Sequence, residues 1–397
     1  MKEVAIVSAV RTPIGTLGGA FKDITATDLG AQVIQKAVEK ANIDPSDIDE
    51  VIMGNVLQAG NGQNPARQAS AKAGIPYSVP AMTLNKVCGS GLKAVHLGYQ
   101  AIKLGQAEAV VAGGMESMSQ APYLLEKARY GYRMGNGIVE DSLIKDGLWC
   151  SIDDCHMGIT AEHLSKHYNI SRGEQDEFAA ESHYKANQAQ VEGRFTDEII
   201  PILVPQKKGK SVWIDQDEHP RKGVSIDTLA KLKPAFINKG TVTAGNSSGI
   251  NDGAAAVVLM DASKARKRGI RILGVIQQNM SVGISPAKMG IAPVYATRKI
   301  LARTDTSLGE LDILEVNEAF AAQALAVYKE LNLDQVKVKV NPNGGAIALG
   351  HPIGASGARI LVTLIHEMKR QKARKGLATL CIGGGQGVAT IIERENG

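Results

Sequence analysis

At 397 residues the chain exceeds what one ordinary hydrophobic core organises, which implies two or three domains. Hydrophobic residues make up 44% and charged residues 21%, excluding a largely disordered chain, and the net charge of +5, with no long basic run, argues against nucleic acid as the main partner. No stretch reaches about 18 uninterrupted apolar residues, and four cysteines without a C-x-x-C pair make neither a disulfide framework nor a zinc site. The expectation is a soluble cytoplasmic protein with reduced thiols, no metal and no membrane contact.

"EVAIVSAV" opens the chain as a buried strand. "TATDLGAQVIQKAVEKA" has helical periodicity, with Thr27 or Asp28 as its N-cap. "DEVIMGNVL" is a second strand, and "QNPARQASAKAG" is a helix stopped by Gly74. "AMTLNKV" is an extended run that delivers Cys88, followed by the helix "GSGLKAVHLGYQAIKLG" and the strand "EAVVAGGM", ending in Gly-Gly. This alternation predicts a layered α/β domain. A stretch at 119–249 differs, being richer in charge, Met, Tyr and Asp. It holds a helix capped at Ser171, with Glu174 completing a capping box, and reads as an inserted excursion. "AAAVVLM" then returns to the first sheet. The early pattern recurs near the C-terminus in "GELDILEVNEAF", "GASGARILVTLIHEMKRQKA", "GLATLCIGGGQG" and "VATIIER". Aligning Ser90-Gly91 with Ser356-Gly357 makes the following helices correspond, which predicts an internal duplication.

Four groups could carry chemistry. Cys88, in "NKVCGSG", is either a small hydrophobe in a tight turn or a nucleophile. The positive end of the following helix would favour its thiolate, and flanking glycines would free backbone N–H groups for an oxyanion. An ordinary thiol, with a pKa near ~8.5, is only slightly ionised at neutral pH, so a nucleophile here wants a base. His351, between Gly350 and Pro352 in a glycine-dense loop, is either that base or a structural histidine. Cys381 ends an apolar strand and by itself reads as core. Asn317 and Glu318 stand between a strand and a helix, where polar side chains either cap or line a site. "GGGQG" precedes a β-rich segment rather than a helix, which excludes a dinucleotide loop.

Taken together, "NKVCGSG", "NEAFAAQ", "NPNGGAIALGHPIGASG" and "GLATLCIGGGQG" resemble the four site motifs of the thiolase family, in the same order. "GNVLQAG", "ARQAS", "AGGMESMS", "HMGITAE" and "TVTAGNSSGINDGAAA" extend the resemblance over essentially the whole chain. It implies an α/β thiolase fold, with duplicated half-domains stacked as αβαβα layers and an inserted loop domain. The halves would be residues 1–118 plus 250–270 and residues 271–397, with 119–249 as the loop domain for coenzyme A binding and oligomerisation.

The resemblance also implies the activity of a biosynthetic-type acetyl-CoA C-acetyltransferase, with acetyl-CoA, acetoacetyl-CoA and CoA as partners. CoA would be substrate and product, with no prosthetic group, in a homotetramer built as a dimer of dimers. Cys88, activated by His351, would carry the acetyl group, and Cys381 would remove the α-proton of the second acetyl-CoA. His351 with a water held by Asn317 would stabilise the enolate, and the N–H groups of Cys88 and Gly383 would hold the acyl oxygen. His156 and Met157 would lie beside the pantetheine chain, as in short-chain members, and Met289 would wall the acyl pocket. Leu148, Arg221, Phe236, Ala244, Ser248, Ala319 and Phe320 match positions lining the CoA tunnel, with Arg221 toward the adenine and phosphate end. Thr228 stands where serine is expected, and Pro342 and Cys155 are local departures from the short-chain pattern. The alternatives are a degradative 3-ketoacyl-CoA thiolase for longer chains, a decarboxylating ketoacyl synthase relative, against which the presence of Cys381 counts, and a non-catalytic thioester binder or a redox sensor in which Cys88 and Cys381 join.

Overall fold

The computed structural model describes residues 2–206 and 209–395. Its first half is built from β1 (Val4–Arg11), α1 (Ala26–Ala41), β2 (Glu50–Gly54), α2 (Pro65–Lys72), β3 (Ala81–Leu84), α3 (Ser90–Lys103) and β4 (Ala109–Ser117). An intervening segment contributes α4 (Met157–His167) and α5 (Arg172–Val191). Then follow β5 (Asn251–Asp261), β6 (Gly274–Gly283), α6 (Ala292–Arg303), β7 (Ile313–Val316), α7 (Ala321–Leu331), β8 (Lys339–Val340), α8 (Ala346–Leu349), α9 (Ser356–Gln371), β9 (Lys375–Ile382) and β10 (Gln386–Glu393).

Local chemistry explains most of the boundaries. Ser171 and Glu174 form the reciprocal capping box of α5, as the sequence predicts. α1 starts earlier than expected: Thr25 is its N-cap and accepts the N–H of Asp28, which leaves Thr27 and Asp28 inside the first turn. Asp28 there complements the helix dipole. α2 ends at Lys72 with Ala73 as its C-cap, and Gly74 follows at φ +80°. β4 continues past Gly113-Gly114 to Ser117 because β5 pairs with it along that whole length.

The sheet runs β3-β2-β4-β5-β1 through the first half and β8-β7-β9-β10-β6 through the second. Numbered within each half, both orders are third, second, fourth, fifth, first, which is the repeat that the two Ser-Gly helices predict. The halves join where Ala5 and Ile6 of β1 face Val275 and Gly274 of β6, so the two expected sheets form one continuous path. α1 and α2 pack on one outer face, α6 and α7 on the other, and α3 and α9 lie between the two sheet halves. That gives five layers in the order αβαβα. The two central helices touch backbone to backbone: a Cβ on Gly91 would lie 2.8 Å from the amide nitrogen of Ala358, and one on Gly357 would lie 2.5 Å from that of Leu92.

α4 and α5 of the intervening segment lean on α7 and α8 of the second half. The same segment is tied to the first half by Arg11, which is fully buried and donates to Glu198 at 2.6 Å and to Asp217 at 2.7 and 2.9 Å. A buried guanidinium with two carboxylates holds register because losing either partner would strand a charge. Among the described residues no helix is long and apolar enough to cross a membrane, and no cluster of metal-ligating side chains occurs.

Candidate active site

Cys88 sits in the turn between β3 and α3, reached through Val87 at φ +46°. A β-branched residue in the left-handed region costs about 1–3 kcal/mol and persists only where its surroundings hold it. Asn85 accepts the Val87 N–H at 2.9 Å, while Ser90 donates to the Val87 carbonyl at 2.6 Å and accepts the Lys86 N–H at 2.8 Å. The Cys88 thiol is pushed up to about 11 by burial, with the N–H groups of Gly383 and of Cys88 itself pulling the other way and buried Glu116 adding to the rise. The helix start was expected to favour the thiolate. Desolvation outweighs it, and the resting group is a thiol.

Cys381 is at the end of β9. Burial pushes its thiol well above the ordinary range, and the neighbouring Cys88 thiol adds to this. The fold therefore brings together two sulfurs that belong to different halves.

His351 follows α8 and Gly350. Its N–H donates to Asn251 Oδ1 at 2.9 Å, and Asn251 Nδ2 donates to the Gly15 carbonyl at 2.9 Å. Its Nδ1 lies 2.6 Å from Ser356 Oγ, which itself donates to the Pro352 carbonyl at 2.9 Å. When the hydroxyl proton points to Pro352, Nδ1 carries the ring proton and Nε2 carries the lone pair, the arrangement in which Nε2 can act as a base. That Nε2 is buried with no partner among the described residues. Burial, reinforced by Arg359, lowers the ring to about 3, so it is neutral at rest.

Asn317 follows β7, and its N–H donates to the Thr379 carbonyl of β9 at 3.0 Å, two residues before Cys381. Both atoms of its side-chain amide are buried without a hydrogen bond among the described residues. Neither Asn317 nor Glu318 caps α7, whose N-cap is Phe320. Glu318 accepts from Ser182, Asn341 and the Ile347 N–H instead, making it a structural anchor for α8.

A cavity of about 480 Å³ reaches His351 at its wall. Leu148, His156, Arg221 and Phe236 line it, as do Ala244, Ser248 and Phe320. His156 stacks on Phe236 with ring centroids 4.8 Å apart. Met157, Met289, Ala319 and Phe320 share one buried apolar cluster with Cys381. A Cβ on Gly383 would lie 3.3 Å from Met157 Sδ and 3.5 Å from Val87, so the Gly383 backbone faces both the turn of Cys88 and this cluster. Thr228 is placed apart from the cavity wall: it is exposed, and its hydroxyl closes the capping box of the short helix Ile226–Ala230 with Ser225.

Three residues that sequence reasoning did not single out hold the site. Asn251 and Ser356 orient His351. Glu116 accepts from the N–H groups of Val56, Leu57 and Gly354 and from Asn55, pinning the loop after His351 to the first half. Asn251 and Ser356 lie within stretches already quoted, but nothing local marks which polar residue faces inward.

The family model described as "Thiolase, N-terminal domain" matches residues 4–263, and the one described as "Thiolase, C-terminal domain" matches residues 270–394. An acetyl-CoA acetyltransferase of Pseudomonas aeruginosa is 58% identical over 395 residues, covering 100% of both chains. A protein of the same name from Cupriavidus necator is 56% identical, also covering 100% of both. The crystal structure of the Bacillus anthracis acetyl-CoA acetyltransferase superposes with a TM-score of 0.97 at 47% identity, covering 100% of this chain and 99% of that one. With both family domains matched in order, and with full-length relatives at this identity, the chain belongs to the thiolase family.

Proposed function

We infer that the chain is an acetyl-CoA C-acetyltransferase, which condenses two acetyl-CoA molecules to acetoacetyl-CoA and CoA and runs the reverse thiolysis. The observation that carries this reading is the meeting of Cys88 with Cys381 across the two halves, with Ile353, two residues past the unpartnered His351 Nε2, in the apolar cluster that Cys88 packs against. Cys88 attacks the thioester carbonyl as His351 Nε2 takes its proton. The carbon–sulfur bond to CoA breaks, and CoA leaves with the proton of Cys381, whose raised thiol is a proton reserve at rest. The Cys381 thiolate then takes the α-proton of the second acetyl-CoA; a positioned base of this kind contributes about 10²–10⁴ in rate. The enolate oxygen is held by protonated His351 and a water on the otherwise unbonded Asn317 amide. The α-carbon of the enolate attacks the acetyl carbonyl on Cys88, the carbon–sulfur bond to Cys88 breaks as acetoacetyl-CoA forms, and Cys88 recovers its proton from His351. The N–H groups of Cys88 and Gly383, which face the sulfur in the free enzyme, would serve the acyl oxygen, each worth roughly 3 kcal/mol in the transition state.

The 480 Å³ cavity suits the pantetheine arm, with Arg221 toward the phosphates and Thr228 at the nucleotide end outside it. The same reading keeps residues 1–118 with 250–270 and residues 271–397 as half-domains and 119–249 as a loop domain, in a cytoplasmic homotetramer. Tyr130, Met134 and Ile138, all exposed on one short stretch of the loop domain, support assembly, since a run of exposed apolar side chains is a feature of interaction surfaces. Light scattering would test the tetramer.

Mixing enzyme with radiolabelled acetyl-CoA, quenching in acid and mapping peptides tests the chemistry. Label on Cys88 is expected; label elsewhere, or none, overturns the reading.

A further inference from the structure

Cys150 and Cys155 have no part in the chemistry above. They stand on the two arms of a short antiparallel hairpin, Trp149–Cys150 against Cys155–His156. The register sets Cys150 directly opposite Cys155 and Trp149 opposite His156. Facing residues of an antiparallel pair have Cα atoms about 4.5 or 5.5 Å apart, and both values fall within the ~4.4–6.8 Å that a disulfide spans without backbone movement. The turn between the arms is already closed, with Trp149 Nε1 donating to Asp154 at 2.9 Å. Both thiols are free and pack into one cluster, Cys150 buried and Cys155 partly exposed. The Cys150 thiol is also among the groups that, after burial, raise the Cys155 thiol, as their proximity requires.

We propose that Cys150 and Cys155 form a redox modification site, a dithiol that a hydroperoxide converts to a disulfide within the hairpin. Cys155 loses its proton and attacks a peroxide oxygen; the O–O bond breaks, leaving Cys155 as a sulfenic acid and releasing one water. Cys150 then attacks the Cys155 sulfur, the S–S bond forms, and a second water departs. The two thiols give up two electrons and two protons, and hydrogen peroxide is reduced to two waters. A small dithiol reverses the reaction by two exchanges. The hairpin borders the cavity through His156, and Leu148, just before the hairpin, lines the same wall, so the bond would stiffen that wall without joining the catalytic cysteines. The inference does not rest on the acyl-transfer reading.

The test uses full-length Cys88→Ala protein, in which no Cys88–Cys381 disulfide can compete, with Cys381→Ala as the second sample. After hydrogen peroxide treatment and alkylation, the tryptic peptide following Lys145 and ending at Lys166 is expected to be unalkylated and two hydrogens lighter. Cleavage before Asp153 should leave its halves joined until dithiothreitol is added. Cys155→Ser should abolish the link. Independent alkylation of both thiols, or over-oxidation of Cys155 with Cys150 still alkylatable, overturns the proposal.

Discussion

The Nδ1 of His351 lies 2.6 Å from the Oγ of Ser356, whose own proton is committed to the carbonyl of Pro352. With the hydroxyl proton on Pro352, Nδ1 keeps the ring proton and Nε2 is the nitrogen that can accept one. Ser356→Ala frees the ring to rotate or change tautomer at a cost of about 1–2 kcal/mol, which corresponds to a roughly 5–30-fold fall in kcat with KM little changed. Steady-state kinetics check it; an unchanged kcat would show that the hydroxyl does not orient the base.

The resting states of Cys88 and His351 predict a pH signature. The thiol is raised to about 11 and the imidazole lowered to about 3, so both are neutral across the ordinary range. The thiolate fraction of Cys88 in the free enzyme then climbs with pH, and alkylation by iodoacetamide should rise about tenfold per pH unit from about pH 7 to 9. A preformed thiolate–imidazolium pair would instead give a plateau throughout that range, and observing one would reject this assignment.

Glu116 accepts from four donors and is raised to about 7 by burial. In Glu116→Gln an amide NH₂ replaces one oxygen and meets N–H donors, at a cost of about 3 kcal/mol. A carboxyl whose folded pKa lies above its unfolded value loses its stabilising contribution as pH rises, here between about 4.5 and 7. The gap between wild type and Glu116→Gln should therefore be widest near pH 5 and narrower at pH 8. Urea titrations at the two pH values measure it; a gap that widens with pH would be the wrong sign.

Met289 is buried among Met157, Ala319, Phe320 and Cys381. Met289→Ala should lower stability by about 2–5 kcal/mol and improve kcat/KM for thiolysis of longer 3-ketoacyl-CoA substrates roughly tenfold. Comparing acetoacetyl-CoA with a longer homologue checks this. If wild type already prefers the longer chain, the degradative alternative gains.

Signals confined to a few consecutive residues could be read from the chain alone. The apolar spacing of α3 and α9, the capping box at Ser171 and the stop at Gly74 belong to that class, and so does the correspondence of Ser90-Gly91 with Ser356-Gly357. The cap of α1 was misplaced because Thr25, Thr27 and Asp28 are all competent oxygens, and choosing among them depends on backbone angles. The assignment of Cys88, Asn317, His351, Cys381 and Gly383 to one site came from the motif resemblance and from no local pattern.

Partnership across the chain needed the folded molecule. Asn251 meets the His351 backbone across 100 residues, and Glu116 meets Gly354 across 238. The facing of Cys150 and Cys155 is a matter of strand register. The direction of the Cys88 shift is a matter of burial, because a helix N-terminus favours a thiolate and the surrounding protein opposes it more strongly. Helix periodicity and capping are set by neighbours along the backbone, whereas desolvation and hydrogen-bond partnership are set by whatever the fold packs around a group.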